Sequence, residues 1–400
     1  MDRRDFLQTA LTASGRAALG LGTLGLGGMG LAGCQGIAAE VPRVVGLKQS
    51  VPPQLVKRFR RSAGNSPAAK LAYSQVATLP EVFAQLQTWQ QIAQGKRPRP
   101  KPWFSLTNPA PTQDELPDLV TIGDYWLGLA IKQGLIEPLD PAQFPAWKGV
   151  EPRWQQSVTR DDQGQISPTG RMWAAPYRWG ATVIAYRADL LAAQGIAPPQ
   201  DWSDLLNPQL KGRISLLDSS RETIGMALKS LGKRYSTPDG KPADLTQIPE
   251  LLPRLQAFHD QAKFYSNTSY LQPLLLGHTW IAVGWSAELL QQRRTESRLA
   301  IAFPSSGTTV WADLWVRPKR AEPKRDRPYQ SWINQFWEPE FAAQMAGLSD
   351  GGSVIANGDY RPFNLTPAQW ADCEPLLPLD RASENQFDTL WHQIRPALPA

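Results

Sequence analysis

Residues 118–126, Asp118-Leu119-Val120-Thr121-Ile122-Gly123-Asp124-Tyr125-Trp126, read as a buried strand that ends in a turn and gives way to a helix. A short apolar run of this kind suits a strand covered on both faces. The same alternation is found upstream. Val44-Val45-Gly46-Leu47 reads as a first buried strand, and Ser50-Val51-Pro52-Pro53 opens a helix through Leu55, Val56 and Phe59. Proline suits the first helical turn, where its missing N–H costs nothing. Leu71 to Ser74 forms a second strand, and Leu79 to Ala93 carries Val82, Leu86, Trp89 and Ile92 at helical spacing. Strands and helices in turn predict an α/β lobe with a partly parallel sheet. The proline-rich run from Gly95 to Pro117, with Arg97-Pro98-Arg99-Pro100-Lys101-Pro102, predicts a surface loop of polyproline character.

The N-terminus predicts where that lobe works. Asp2-Arg3-Arg4-Asp5-Phe6-Leu7 is a twin-arginine pattern, followed by the uncharged stretch Ala17–Gly33. Seven glycines in those 17 residues make it too short and too flexible for a comfortable membrane span. Charged start, apolar middle and small residues before Cys34 describe a bacterial export signal over residues 1–33. Twin arginines point to the route that exports folded proteins. Leu31-Ala32-Gly33-Cys34 is similar to a lipobox, which implies lipidation of Cys34 and a tether over residues 34–43.

Removing residues 1–33 from 400 leaves 367, enough for two lobes rather than one core. Three Arg and two Asp leave with the signal, so +5 of the +6 charge remains. That modest surplus suits an anionic lipid surface and argues against nucleic acid as a partner. Cys34 and Cys373 are the only cysteines, so lipidation of the first leaves the fold without an internal disulfide. Sixteen tryptophans can serve as core filler, interface anchors or ligand-stacking walls.

The ordered motifs carry a family likeness. Asp118-Leu119-Val120 with Tyr125, then Gly134-Leu135-Ile136 with Leu139-Asp140, is followed by Ala175-Pro176-Tyr177-Arg178-Trp179-Gly180-Ala181-Thr182. Next come Asp201-Trp202-Ser203-Asp204-Leu205-Leu206, Ser219-Ser220-Arg221-Glu222, Val283-Gly284-Trp285 and Val310-Trp311-Ala312-Asp313. Together these resemble the periplasmic solute-binding proteins of ABC importers, nearest to the spermidine/putrescine-binding branch, over most of residues 44–400. The resemblance implies an α/β, two-lobe, type II-like periplasmic-binding-protein fold with the ligand cleft between lobes joined by hinge crossings. One lobe would take residues 41–181 and 313–355, the other 182–312 and 356–400.

By motif position the resemblance places Glu222 and Asp313 on amine-binding carboxylates, Trp311 and Trp285 on stacking tryptophans, and Tyr125 on a cleft tyrosine. Carboxylates pair with ammonium groups, and aromatic faces attract cations. Trp311 and Asp313 lie two apart on a strand, so both project from one face. Each has a plainer reading too. Ser219-x-x-Glu222 is a capping box that would spend Glu222 on its own helix start, and large rings are common in cores.

The chain departs from the polyamine binders in three places. Ser219 stands where they carry a second acid, Ser50 where they carry a tyrosine, and Lys48 where they carry a threonine. Ser219 can still hydrogen-bond an amine, and Asp124 or Asp218 are candidates to make up the lost charge. The expected ligand is therefore a polyamine such as putrescine or spermidine, or a related small amine. The competing ligand is a zwitterionic amine, amino acid or aminophosphonate whose acidic group meets Lys48 or Arg178.

Other classes fare worse. His259, His278 and His392 are the only histidines, and none has a paired metal-ligand spacing. No Gly-x-Ser-x-Gly elbow occurs and Cys373 has no suggestive local motif. A two-acid hydrolase stays open on the carboxylates alone and would need two acids with shifted pKa values facing one cleft. The reading is no enzyme, metal or cofactor. The expected partners are a small amine, a transporter permease and a membrane reached through the lipid, with the protein itself a monomer. A tethered sensor or assembly protein of the same fold is the third alternative, with Lys96–Lys101 and Arg317–Arg327 as candidate contact surfaces.

Overall fold

The computed structural model describes residues 41–96, 116–237, 241–320, 328–356 and 365–395. The export signal, Cys34, most of the tether, the basic residues 97–101 and residues 321–327 lie outside the described residues.

Strand β1 (Arg43–Leu47) pairs in parallel with β2 (Ala72–Val76) on one side and β3 (Leu119–Gly123) on the other. Parallel neighbours need crossover connections, and helices supply them. Helix α1 (Pro53–Ser62) starts with proline and buries Leu55, Val56 and Phe59. Helix α2 (Leu79–Ala93) starts where Thr78 Oγ1 accepts the Glu81 N–H at 3.3 Å, and it buries Val82, Phe83, Leu86, Trp89 and Ile92. Strand β3 is buried throughout and runs directly into α3 (Asp124–Lys132).

Strand β4 (Ala175–Arg187) is the spine of the molecule: twelve of its thirteen residues are buried. Its first half pairs antiparallel with β9 (Thr309–Pro318), from Trp315↔Ala175 to Val310↔Ala181. Its second half pairs antiparallel with β7 (Ile281–Trp285), where Trp285 faces Thr182, and with β8 (Leu299–Ala302). Strand β5 (Ile214–Leu216) joins β7 in parallel and β6 (Ala262–Tyr265) joins β5. The order is β2-β1-β3-β9-β4-β7-β5-β6, with β8 paired to β4. The partners of β4 change between Ala181 and Thr182, so two half-sheets meet there. Ligands of open α/β sheets collect at such junctions, beyond the strand ends.

Helices α4 (Ser220–Ser230), α5 (Leu251–Gln261) and α6 (Ser286–Arg293) belong to the second half. Helices α7 (Tyr329–Phe336) and α8 (Pro339–Ser349) return to the first, and α9 (Arg381–Ile394) packs on α4 and α5. Between α8 and α9 the chain touches both halves. Trp370 donates to Glu151 and Arg153 donates to the Trp370 and Cys373 carbonyls, while Glu374 forms a buried pair with Lys229 at 2.6 Å. Tryptophan is mostly core filler here: Trp154, Trp179, Trp202, Trp315 and Trp332 are fully buried. Trp315 stacks on Tyr177 at 4.6 Å in an aromatic cluster with Trp332 and Phe336. Ring contacts of this kind add stability beyond area burial.

Candidate functional site

Two cross-strand positions between β4 and β9 define one wall. Trp311 stands opposite Gly180, and Asp313 stands opposite Arg178. A Cβ on Gly180 would lie 2.1 Å from the Trp311 ring, so only glycine lets that indole lie against the strand. Arg178 Nε donates to Asp313 Oδ2 at 2.5 Å, with both side chains buried. Burial pushes the Arg178 pKa down, but Asp313 together with Tyr177 and Tyr73 makes the net shift upward. Asp313, expected to hold an amine, is therefore already paired with a cation from its own sheet.

Gly123 also faces Asp313 across the β9–β3 ladder, which brings Asp124 to the same place. Asp124 is buried at the start of α3 and accepts the Tyr125 backbone N–H at 2.8 Å. It forms no ion pair among the described residues. Burial pushes its pKa up to about 7, while Arg160 and the backbone N–H groups of Ala312 and Tyr125 pull the other way. Charged groups without a partner resist ionisation in this way. Arg160 spends its guanidinium on the Ser157 and Gly164 carbonyls, and burial lowers its pKa to about 10.

The second half supplies the opposing wall. Ser219 Oγ accepts the Glu222 N–H at 3.5 Å and so caps α4. Glu222 does not reach back to complete the capping box. Its Oε2 accepts the Thr182 hydroxyl at 2.8 Å and the Thr309 hydroxyl as well. Thr182 and Thr309 flank the partner switch on the two crossing strands. Burial raises the Glu222 pKa, against those two hydroxyls and Arg221. Glu222, like Asp124, forms no ion pair among the described residues. Arg221 spans the two walls: its guanidinium lies 5.7 Å from the ring of Tyr125, which is 60% exposed. Its Nη2 donates to the Leu377 carbonyl, its Nε has no partner among the described residues, and burial lowers its pKa.

Of the residues singled out from sequence, Glu222, Asp313, Trp311 and Tyr125 are brought to this junction. Trp285 stands next to it, opposite Thr182, with its indole N–H on the Asn267 carbonyl at 3.2 Å. Ser219 is spent on helix capping. Of the two candidate compensating acids, Asp218 pairs with Arg395 and Asp124 reaches the junction. Lys48 is exposed. The partners of Glu222 had a weak signal, since Thr182 ends one of the motifs that carry the family likeness, whereas Thr309 had none.

The comparisons with known proteins agree with this fold. Residues 114–359, more than half of the chain, match the profile of a family described as bacterial extracellular solute-binding protein. The spermidine/putrescine-binding periplasmic protein of Escherichia coli (strain K12) is 24% identical over 298 residues, which cover 74% of this chain and 72% of that protein. A putrescine/agmatine-binding protein of Pseudomonas aeruginosa is 28% identical over 304 residues, covering 70% and 78%. Among solved structures, a spermidine/putrescine ABC transporter substrate-binding protein of Streptococcus pneumoniae matches with a TM-score of 0.68 at 18% identity, covering 89% of this chain and 98% of that one. The fold is thus the two-lobe α/β periplasmic-binding-protein fold, with β4 paired to strands of both half-sheets.

Proposed function

The chain belongs to the bacterial extracellular solute-binding proteins, and from that premise we propose that it is the substrate-binding component of an ABC importer, capturing a small amine in the cleft between its lobes. The observation that carries this reading is the pair of buried carboxylates Asp124 and Glu222, one from each wall, neither ion-paired among the described residues. Burying an ionised carboxylate without a cation is costly, and a ligand ammonium supplies the missing partner. Tyr125, Trp311 and Trp285 are the proposed ring surfaces beside that ammonium. Relatives named for putrescine, spermidine and agmatine support an amine as the ligand.

Capture works by hinge closure. Contacts made from both walls at once exist only in the closed state, so the ligand favours that state by the difference in affinity. A permease would then recognise the closed form. The twin-arginine signal and Cys34 support an exported, lipid-tethered component at the bacterial envelope. The domain assignment proposed from sequence follows the same logic, with residues 41–181 and 313–355 facing 182–312 and 356–400.

The test is a thermal-shift screen of the purified protein against putrescine, spermidine, agmatine, monoamines, amino acids and aminophosphonates. A ligand at about a hundred times its dissociation constant adds roughly 2.7 kcal/mol, a readily measured rise in melting temperature. No rise with any amine sinks the reading and favours a tethered sensor or assembly role.

A further inference from the structure

We propose that the ligand is a compact zwitterion, with one ammonium and one acidic group, rather than a di- or trication. This rests on the reading of the junction as an amine site and names the class of amine.

The first argument is charge balance. The junction holds three carboxylates, on Asp124, Glu222 and Asp313, and three guanidiniums, on Arg160, Arg178 and Arg221. Fully ionised, the six groups sum to zero. Asp313, one of the two carboxylates expected to bind an amine, carries Arg178 at 2.5 Å. Arg178 thus occupies the seat that a second ammonium would need. A dication would leave the closed walls with a net surplus of positive charge once every group is ionised, and buried charge without compensation is strongly disfavoured. A zwitterion keeps the sum at zero.

The second argument is hydrogen-bond satisfaction. Arg221 Nε and Trp311 Nε1 are buried and have no hydrogen-bond partner among the described residues. Both are donors that never accept. A polyamine offers donors and no acceptors, so it leaves the two N–H groups unsatisfied. A carboxylate or phosphonate offers several acceptor sites. The ammonium belongs between Asp124 and Glu222, and the acidic group against Arg221.

Isothermal titration of the purified chain with matched pairs tests this: cadaverine against 5-aminopentanoate, putrescine against 4-aminobutyrate, and ethylamine against alanine. Within a pair that binds, the amino acid is expected to bind at least about tenfold tighter than the amine lacking the acidic group. An amine that binds as tightly as its matched amino acid overturns this inference and leaves amine capture standing. No heat with any of the six overturns the amine reading itself. The variant Arg221→Gln, with its folding checked by circular dichroism, should erase the preference; an unchanged preference also overturns the assignment. Arg178→Met, which frees Asp313, should move selectivity towards the diamine by about tenfold.

Discussion

Arg178 and Asp313 face each other across the β4–β9 ladder, 135 residues apart in sequence, and close a buried ion pair of 2.5 Å between them. Directly opposed side chains are the unit of sheet stabilisation, and here the unit is ionic and desolvated. Such a pair gains little over an apolar pair of the same shape, but losing one member strands the other.

Arg178→Met should therefore destabilise the protein by about 3–5 kcal/mol, as should Asp313→Asn to a similar degree. The double variant should recover most of that loss, because no stranded charge remains. Urea unfolding of the two single variants and the double variant measures the coupling. Additive losses would show that the pair has no energetic link.

Glu222 accepts two hydroxyls and caps nothing, so its charge is free to meet a ligand. Glu222→Gln keeps the size and removes the charge. A hydrogen bond to a charged group is worth about 1.5–3 kcal/mol, which predicts amine binding roughly tenfold to a hundredfold weaker. Calorimetry on the variant checks it, and unchanged affinity removes Glu222 from the site.

Asp124 should make amine binding pH-dependent. Burial holds its pKa near about 7, and the charged groups facing it are Arg160, Asp313 and Arg221. A raised carboxyl pKa favours folding of the protonated form. That stabilisation is complete below the ordinary value of 3.8 and is lost as pH rises to about 7. An ammonium beside Asp124 favours the ionised form, so binding below pH 7 must release the proton. Amine affinity should rise by up to about tenfold per pH unit between about pH 5 and 7, then level off. Asp124→Asn should flatten the profile, and a slope that survives the substitution assigns it to another group.

The local elements were legible because local chemistry specifies them. The helix read over Leu79–Ala93 has those bounds in the structure, with Thr78 and Glu81 tying its start. The strand read at Leu71–Ser74 runs instead over Ala72–Val76, because Leu71 closes the preceding turn and the ladder to β1 extends to Val76. The chain of motifs also carried the two-lobe fold. The pairing of Arg178 with Asp313 was hidden, since antiparallel register between distant strands depends on the packed sheet. The bonds of Glu222 to Thr182 and Thr309 were hidden for the same reason. The capping-box pattern was half right: the serine caps and the glutamate leaves.

A further contact joins the chain after α6 to the end of α8. Arg294, just after α6, donates to Asp350 Oδ1 at 2.7 Å and to the Gly347 carbonyl at the end of α8. Asp350 holds a left-handed conformation with φ of 53°, which aspartate and asparagine tolerate better than most residues. Asp350→Asn keeps that conformation and removes the charge. Arg294 is half exposed, so the pair is worth at most about 1 kcal/mol. If that energy serves closure, ligand affinity should fall by about two- to fivefold with little change in melting temperature. A drop in melting temperature with affinity intact would assign the pair to stability alone.

Gly180 gives the most local prediction. Its missing side chain is the space that the Trp311 ring occupies, so Gly180→Ala cannot be accommodated without moving that indole or the crossing strand. Overpacking of this kind costs about 1–3 kcal/mol. The loss should be accompanied by a change in tryptophan fluorescence and by weaker amine binding, because Trp311 forms part of the proposed ligand wall. A second substitution, Trp311→Phe, trims the ring. If the clash is the cause, the double variant should regain stability relative to Gly180→Ala while binding stays weak. Recovery of binding as well would show that the indole is only a spacer for the strand, and that the cation is held by Asp124 and Glu222 without it.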